Sequence, residues 1–280
     1  MSFKIMSSLW FEITGYHGKQ PTSQHLGITL VIMSLIGGIL IWYLKGLSSK
    51  NMKNLILNFG VQIHKVARTA MEIERKIFHI TGLAVPLLYQ YLMSYHNWTQ
   101  SDYSKFCWFI TIGIWIGDII RITIPASNNY FPYTILNKIM REHERTQLSG
   151  TCYFSLGCTI VITLFPSAVS MTSIIWLVCG DMSAALIGVS YGGDIVVVKM
   201  GRGGKKSMEG SVAMFIVCML IGFVAFSETY LSEYAIFLGS LVATIVELYE
   251  PFGVNDNLTI PLASSLALQW GLSRIQQCDL

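Results

Sequence analysis

Long apolar runs separated by short polar stretches dominate the pattern of this chain. A helix needs about 20 predominantly apolar residues to cross the hydrocarbon core of a bilayer. Eight runs approach that length, near 26–44, 77–95, 106–124, 149–165, 168–190, 209–227, 232–249 and 258–273. The fifth run carries an acid near its middle, and the eighth is short and begins at a proline-containing turn. The pattern predicts an all-α, polytopic membrane helix bundle of about eight transmembrane helices.

Composition agrees with a membrane protein. Only 12% of the residues are charged, whereas a soluble domain carries about 25%, and mean hydropathy is +0.53. The net charge of +3 is too small, and too interleaved with apolar runs, to indicate a nucleic-acid partner. The six cysteines form no CxxC pair, which favours small side chains of the membrane core over a zinc site or disulfides.

Basic residues are distributed unevenly between the two sides. With the N-terminus outside, the inside loops 45–76, 121–148, 191–208 and 250–257 hold 15 of the 19 Lys and Arg residues. Cytoplasmic loops are enriched in these residues, so the asymmetry supports eight helices with both ends outside. Pro166 is predicted to break the chain between the fourth and fifth helices.

Polar residues gather where helices meet the predicted cytoplasmic face. Arg75 and His79 flank Lys76 and, being four apart, share one face of the second helix. Asp118 and Arg121, three apart, can form an ion pair. Farther on, Ser149 is a plausible cap for the fourth helix, and Arg141 lies in the charge run before it.

An acid within the fifth run is the most unusual feature. Burying Asp181 in a bilayer costs at least ~2.5 kcal/mol on insertion scales. Small residues, including Gly188, surround it, so that a ligand or a neighbouring helix can approach. The alternative is that Asp181 pairs with a cation on another helix.

Two further segments complete this group. In Gly201–Ser211, glycines and lysines can hold an anion, and Ser207 can cap the sixth helix. The residue order of a P-loop is absent. The alternative is a flexible basic loop. An oxygen-rich, cation-poor stretch that suits Mg²⁺ comprises Glu247, Glu250 and Asn255–Pro261. The alternative for its last part is an Asx-turn followed by a proline that stops the chain from continuing the turn. Together these parts are what phosphoryl transfer needs.

The chain resembles the membrane-embedded CTP-dependent diacylglycerol/polyprenol kinases, which are related to dolichol and phytol kinases and share a cytidylyltransferase-like membrane fold. The resemblance runs from about Glu74 to Leu268. Its motifs are Arg75–His79, Asp118 with Arg121, Arg141–Glu144 with Leu148–Thr151, Gly180–Gly188, Lys206–Ser211 and Asp256–Pro261. It implies a kinase domain over 71–273, preceded by an N-terminal segment, 1–70, with the first transmembrane helix and a basic cytoplasmic linker.

The resemblance implies transfer of the γ-phosphate of CTP to a lipid alcohol with Mg²⁺ or another divalent cation. By similarity, the catalytic residues are Asp181, Arg75 and Lys76, and Asp181 serves the metal or the acceptor hydroxyl. The nucleotide- and phosphate-binding residues are Lys205, Lys206, Ser207, Gly188, Gly204, Arg141 and His79. The metal ligands are Asp181, Glu209, Asp256 and Asn257. The family often has a second acid where this chain has Asn255.

Diacylglycerol, giving phosphatidate, is the first expectation for the substrate. Alternatives are a polyprenol, dolichol or phytol kinase, a phosphatidate cytidylyltransferase making CDP-lipid, or a transporter or scaffold in which Asp181 is an ion site. The expected location is a bacterial inner membrane or an endoplasmic reticulum membrane, with a cytoplasmic active site. The sequence makes no prediction of oligomeric state.

Overall fold

A computed structural model describes residues 79–124, 146–192, 199–200, 206–227 and 232–278, together with positions 54, 57–59, 65, 69 and 76. The predicted first helix over 26–44 lies outside the described residues, as do the predicted site residues Arg75, Arg141, Gly204 and Lys205.

The described part is helical over almost all of its length, as predicted. Its helices are α1 (Ala84–His96), α2 (Gln100–Thr123), α3 (Gly150–Leu164), α4 (Ser167–Ile175), α5 (Asp181–Tyr191), α6 (Met208–Ala225), α7 (Ser232–Tyr249) and α8 (Asp256–Cys278). One departure from the all-α prediction is a short antiparallel ladder between β1 (Lys199–Met200) and β2 (Lys206–Ser207). Short 3-10 turns, Thr81–Leu83 and Pro251–Gly253, precede α1 and α8.

Four helical rods in the described part are long and apolar enough to cross a membrane. They are α2, the continuous rod Ser167–Tyr191, α6 and α7, while α3 is apolar but shorter. The exposed apolar side chains of α2 and α6, among them Phe109 and Leu220, suit contact with lipid tails. The chain is therefore a helical membrane protein, and the count of about eight spans stays a prediction.

The rod Ser167–Tyr191 passes through the centre of the bundle. Its two α-helices are joined by a π-helical turn, Trp176–Gly180, which the sequence pattern did not predict. Trp176 is fully buried, and glycines on α6 and α7 make room for its ring. A methyl group on Gly222 or Gly239 would lie 3.2 or 2.7 Å from that ring. Residues 168–181 of the rod are all buried, so protein surrounds this stretch, which ends at Asp181.

The two predicted proline boundaries have different outcomes. Pro166 does separate α3 from α4, and it occupies the N-cap position of α4. The prediction of a stop at Pro261 is wrong, because Pro261 lies inside α8. The predicted Asx-turn is present: Asn257 N donates to Asn255 Oδ1 at 3.0 Å. This turn starts α8 five residues before the proline, so the Pro261 ring falls within the second turn of the helix. There the proline leaves the helix one backbone N–H donor short.

A buried ion pair joins the end of α2 to the start of α3. Arg121 Nε donates to Asp118 Oδ1 at 2.6 Å, and Ser149 N donates to Asp118 Oδ2 at 2.7 Å. Arg121 Nη2 also donates to Gln147 O at 2.8 Å. The predicted pair is confirmed. Ser149 does occupy the predicted N-cap position of α3, but its side chain makes no capping bond, and its own backbone N–H is bound by Asp118.

We expect Asp118→Asn to destabilise the protein strongly. Arg121 is 1% exposed, and removing one partner of a buried ion pair costs about 3–5 kcal/mol. The measurement is the Tm of purified protein in detergent, with Asp102→Asn as the matched control on the same helix, since Asp102 lies in an exposed turn. Equal Tm values for the two variants would contradict a stabilising role for this pair.

Candidate active site

Asp181 is the first residue of α5 and lies directly after the π-helical turn. Its Oδ2 accepts from Lys76 Nζ at 2.5 Å, and His79 Nε2 lies 3.6 Å from the same oxygen. Asp181 and Lys76 are 5% and 3% exposed. The alternative given by the sequence, pairing of Asp181 with a cation on another segment, is thus present in the structure. Such pairing is what makes a buried acid tolerable in the membrane.

Lys206 of β2 lies against two acids from the end of α7. Its Nζ is 2.5 Å from Glu247 Oε1 and 3.3 Å from Glu250 Oε1. Burial lowers the pKa of Lys206, but the charges of Glu247, Asp256 and Asp181 together outweigh it and raise the pKa to about 12. Lys206 therefore carries a positive charge at neutral pH.

Asp256, at the start of α8, shares this electrostatic environment. Burial and the charge of Asp181 raise its pKa, Lys206 and Lys76 lower it, and Glu250 raises it further. The ends of α5, β2, α7 and α8 therefore converge on one charged cluster. Asp181, Lys206 and Asp256 are close enough to influence one another, although they are far apart in the sequence.

The N-terminus of α6 packs closely on α5 beside this cluster. Ser207 Oγ accepts from Gly210 N at 3.2 Å, which confirms the predicted cap. A methyl group on Gly210 would lie 2.6 Å from Ala184 O, and one on Gly188 would lie 3.2 Å from Ser207 Oγ. The structure thus gives Gly188 a packing role, because the absence of a side chain lets the N-terminus of α6 approach. This N-terminus is the positive end of the helix dipole, and it follows directly after Lys206.

The predicted metal ligands provide oxygen atoms but no closed cage. The part of the chain that the structure describes has no group of three His, Cys, Asp or Glu side chains that could hold a metal ion. Asn257 Nδ2 donates to Gly150 O at 3.4 Å, while its buried Oδ1 has no hydrogen-bond partner among the described residues. Glu209 is buried in the first turn of α6. Mg²⁺ needs only one or two carboxylates, with phosphate oxygens and water completing its shell, so Asp256 and Asn257 fit it.

Two contacts were not predicted from the sequence. Glu247 was recognised as one of several acids but not as the partner of Lys206, because nothing in the local pattern pairs residues 41 positions apart. Lys65, assigned to a basic loop, is buried, and its Nζ donates to Gly192 O at 3.0 Å. A lone lysine in a charged stretch carries no sequence signal of such a contact.

Comparisons with known proteins find relatives over most of the chain. It is 30% identical over 202 residues to the uncharacterized protein RP860 of Rickettsia prowazekii, covering 70% of this chain and 92% of that protein. It is 29% identical over 223 residues to CTP-dependent diacylglycerol kinase 1 of Saccharomyces cerevisiae, covering 71% and 72%. The protein of that name in Schizosaccharomyces pombe is 24% identical over 164 residues, covering 54% and 73%.

No family model and no solved structure matches the chain. The yeast proteins nevertheless support the family resemblance that the motifs indicate. The chain belongs to the same protein family as the Rickettsia prowazekii protein, and the yeast CTP-dependent diacylglycerol kinases are its homologues.

Proposed function

We propose that this chain is a CTP-dependent diacylglycerol kinase, a phosphotransferase that makes phosphatidate from diacylglycerol. The observation that carries the proposal is the convergence of Asp181, Lys76 and Lys206 at one cluster, in a chain whose homologues bear that name. Cations for the phosphates and a carboxylate for the acceptor are the parts that phosphoryl transfer needs.

In the proposed reaction the lipid hydroxyl oxygen attacks the γ-phosphorus of CTP. The bond from that phosphorus to the bridging oxygen breaks, and CDP leaves with the electron pair. Asp181 orients the hydroxyl and receives its proton, while Lys76 and Lys206 offset the charge on the phosphate oxygens. Arg75 is proposed as a further catalytic residue, and Lys205, Gly204 and Arg141 as CTP-binding residues, on the strength of the family motifs.

A divalent cation completes the proposal. Asp256 and Asn257 would hold Mg²⁺, with Asp181 and Glu209 as the other proposed acids. The ion would neutralise part of the triphosphate charge and help to align it. The buried Asn257 Oδ1, which lacks a hydrogen-bond partner among the described residues, supports this assignment.

We also propose that the chain has about eight transmembrane helices and an active site at the cytoplasmic face. The excess of Lys and Arg in the loops that contain the site residues supports this orientation. The membrane would be a bacterial inner membrane or the endoplasmic reticulum. Polyprenol, dolichol and phytol are the alternative lipid alcohols.

Product analysis tests the reaction. Purified protein in mixed micelles is given CTP, Mg²⁺ and either diacylglycerol, a polyprenol or phosphatidate. We expect CDP and phosphatidate from diacylglycerol. Pyrophosphate and CDP-lipid from phosphatidate would instead identify a cytidylyltransferase, and a lack of product from every lipid would favour a transporter or scaffold. ATP in place of CTP tests the nucleotide preference in the same assay.

A further inference from the structure

Among the described residues, three contacts from buried positions before residue 79 reach α5 and its C-cap, beside an exposed bond from the Tyr191 hydroxyl to Phe59 O. Lys76 Nζ meets Asp181 Oδ2, Ser190 Oγ donates to Thr69 Oγ1 at 3.3 Å, and Lys65 Nζ donates to Gly192 O. All three partners before residue 79 are helical and buried. We call this set the antiparallel contact, because the positions fall from 76 to 65 as those on α5 rise from 181 to 192.

The two outer contacts of this set span equal stretches of chain. Eleven residues separate Lys65 from Lys76, and eleven separate Asp181 from Gly192. Lys76 and Lys65 therefore contact the two ends of α5.

Gly192 connects this contact to the phosphate side of the site. It is the C-cap of α5, and a methyl group at this position would lie 2.9 Å from both Cβ and Oγ of Ser207. Ser207 caps α6 and follows Lys206, which bonds Glu247. The position of the Gly192 backbone thus limits where Ser207 and Lys206 can lie.

We propose that Lys65 is a positioning residue for nucleotide binding, acting through Gly192 on Ser207 and Lys206. Its ammonium bonds the carbonyl at the C-terminal end of α5, where a cation is favoured by the helix dipole. It fixes the α5 end against the start of α6 and so keeps Lys206 aligned with the triphosphate. This inference rests on the proposed function, because its kinetic readout is the CTP-dependent reaction. It assigns a functional residue to the predicted N-terminal segment 1–70.

The test is a kinetic comparison of Lys65→Met with the unaltered protein. We expect the KM for CTP to rise about tenfold, the scale of one lost hydrogen bond from a charged donor, while kcat and the KM for diacylglycerol change less than about twofold. Lys65→Arg, which keeps charge and donors, should recover most of the loss. Tyr191→Phe is the matched control at the same helix end, where the hydroxyl makes an exposed bond to Phe59 O, and its KM should be unchanged.

Binding of CTP without lipid gives a second readout, as the rise in Tm on adding CTP and Mg²⁺. It should be smaller for Lys65→Met than for the unaltered protein. A fall in kcat with an unchanged KM would show a merely structural role and overturn the proposal. If Lys65→Met cannot be purified in a folded form, Thr69→Val removes a hydroxyl from the same contact and should raise KM about threefold; an unchanged KM would overturn the proposal. Inactivity of the unaltered protein would instead contradict the proposed function.

Discussion

Replacing Asp181 by asparagine is expected to lower kcat by about 10³-fold, within the range for loss of a residue that orients and accepts a proton. Asparagine has nearly the same shape but cannot accept the proton of the lipid hydroxyl at neutral pH. The measurement is the rate of phosphatidate formation at saturating CTP and diacylglycerol. Full activity would remove the carboxylate from the chemistry and leave it as an interhelical partner of Lys76.

Loss of activity in this variant needs separation from loss of folding. Lys76 is 3% exposed and lies 2.5 Å from the carboxylate, so Asp181→Asn leaves a buried cation without its counter-charge. The double variant Lys76→Met/Asp181→Asn removes both charges. We expect it to recover much of the Tm lost in the single variant and to remain inactive. Recovery of activity along with the Tm would show that the pair acts only on stability.

Lys206→Met is expected to raise the KM for CTP by about 10²-fold or more. The change removes a cation from the triphosphate and leaves Glu247, which is 3% exposed, without the partner at 2.5 Å. Loss of one member of a buried pair costs about 3–5 kcal/mol, so the Tm should fall as well. The measurements are the KM for CTP and the Tm, each compared with Lys206→Arg, which keeps the positive charge.

The companion variant Lys206→Met/Glu247→Gln distinguishes the two effects of this lysine. Removing the acid together with the cation should restore much of the stability, since no uncompensated charge is left at this position. The KM for CTP should stay high because the phosphate still lacks its cation. A double variant with an ordinary KM would show that Lys206 serves only to neutralise Glu247.

Much of the helical architecture follows from local pattern. The apolar runs predict the helices of the described part to within a few residues, except that α1 begins later, α2 begins earlier and α8 extends beyond its predicted end. The Ser207 cap and the break at Pro166 are also local features, because each depends on residues that are neighbours in the chain. Hydropathy does not predict the π-helical turn, since its residues are as apolar as those of an α-helix.

The candidate site was predicted as a set of residues but not as a set of pairs. Asp181 is conspicuous because an acid is costly within an apolar run, and Lys206 because it follows a glycine-rich stretch. Their partners Lys76 and Glu247 are 105 and 41 positions away, so tertiary packing alone brings them together. The misreading of Pro261 has a local cause instead: the Asx-turn at Asn255 starts the helix early enough for the proline to fall inside it.

The π-helical turn imposes a limit on the length of the chain between Trp176 and Asp181. Each residue of an α-helix turns the chain by about 100°. Gaining or losing one residue in this turn would therefore swing the Asp181 carboxylate to another side of the rod and away from Lys76. Trp176 anchors the rod on one side of the turn, and α5 packs against α6 on the other. The number of residues in this stretch is consequently constrained in addition to their identities.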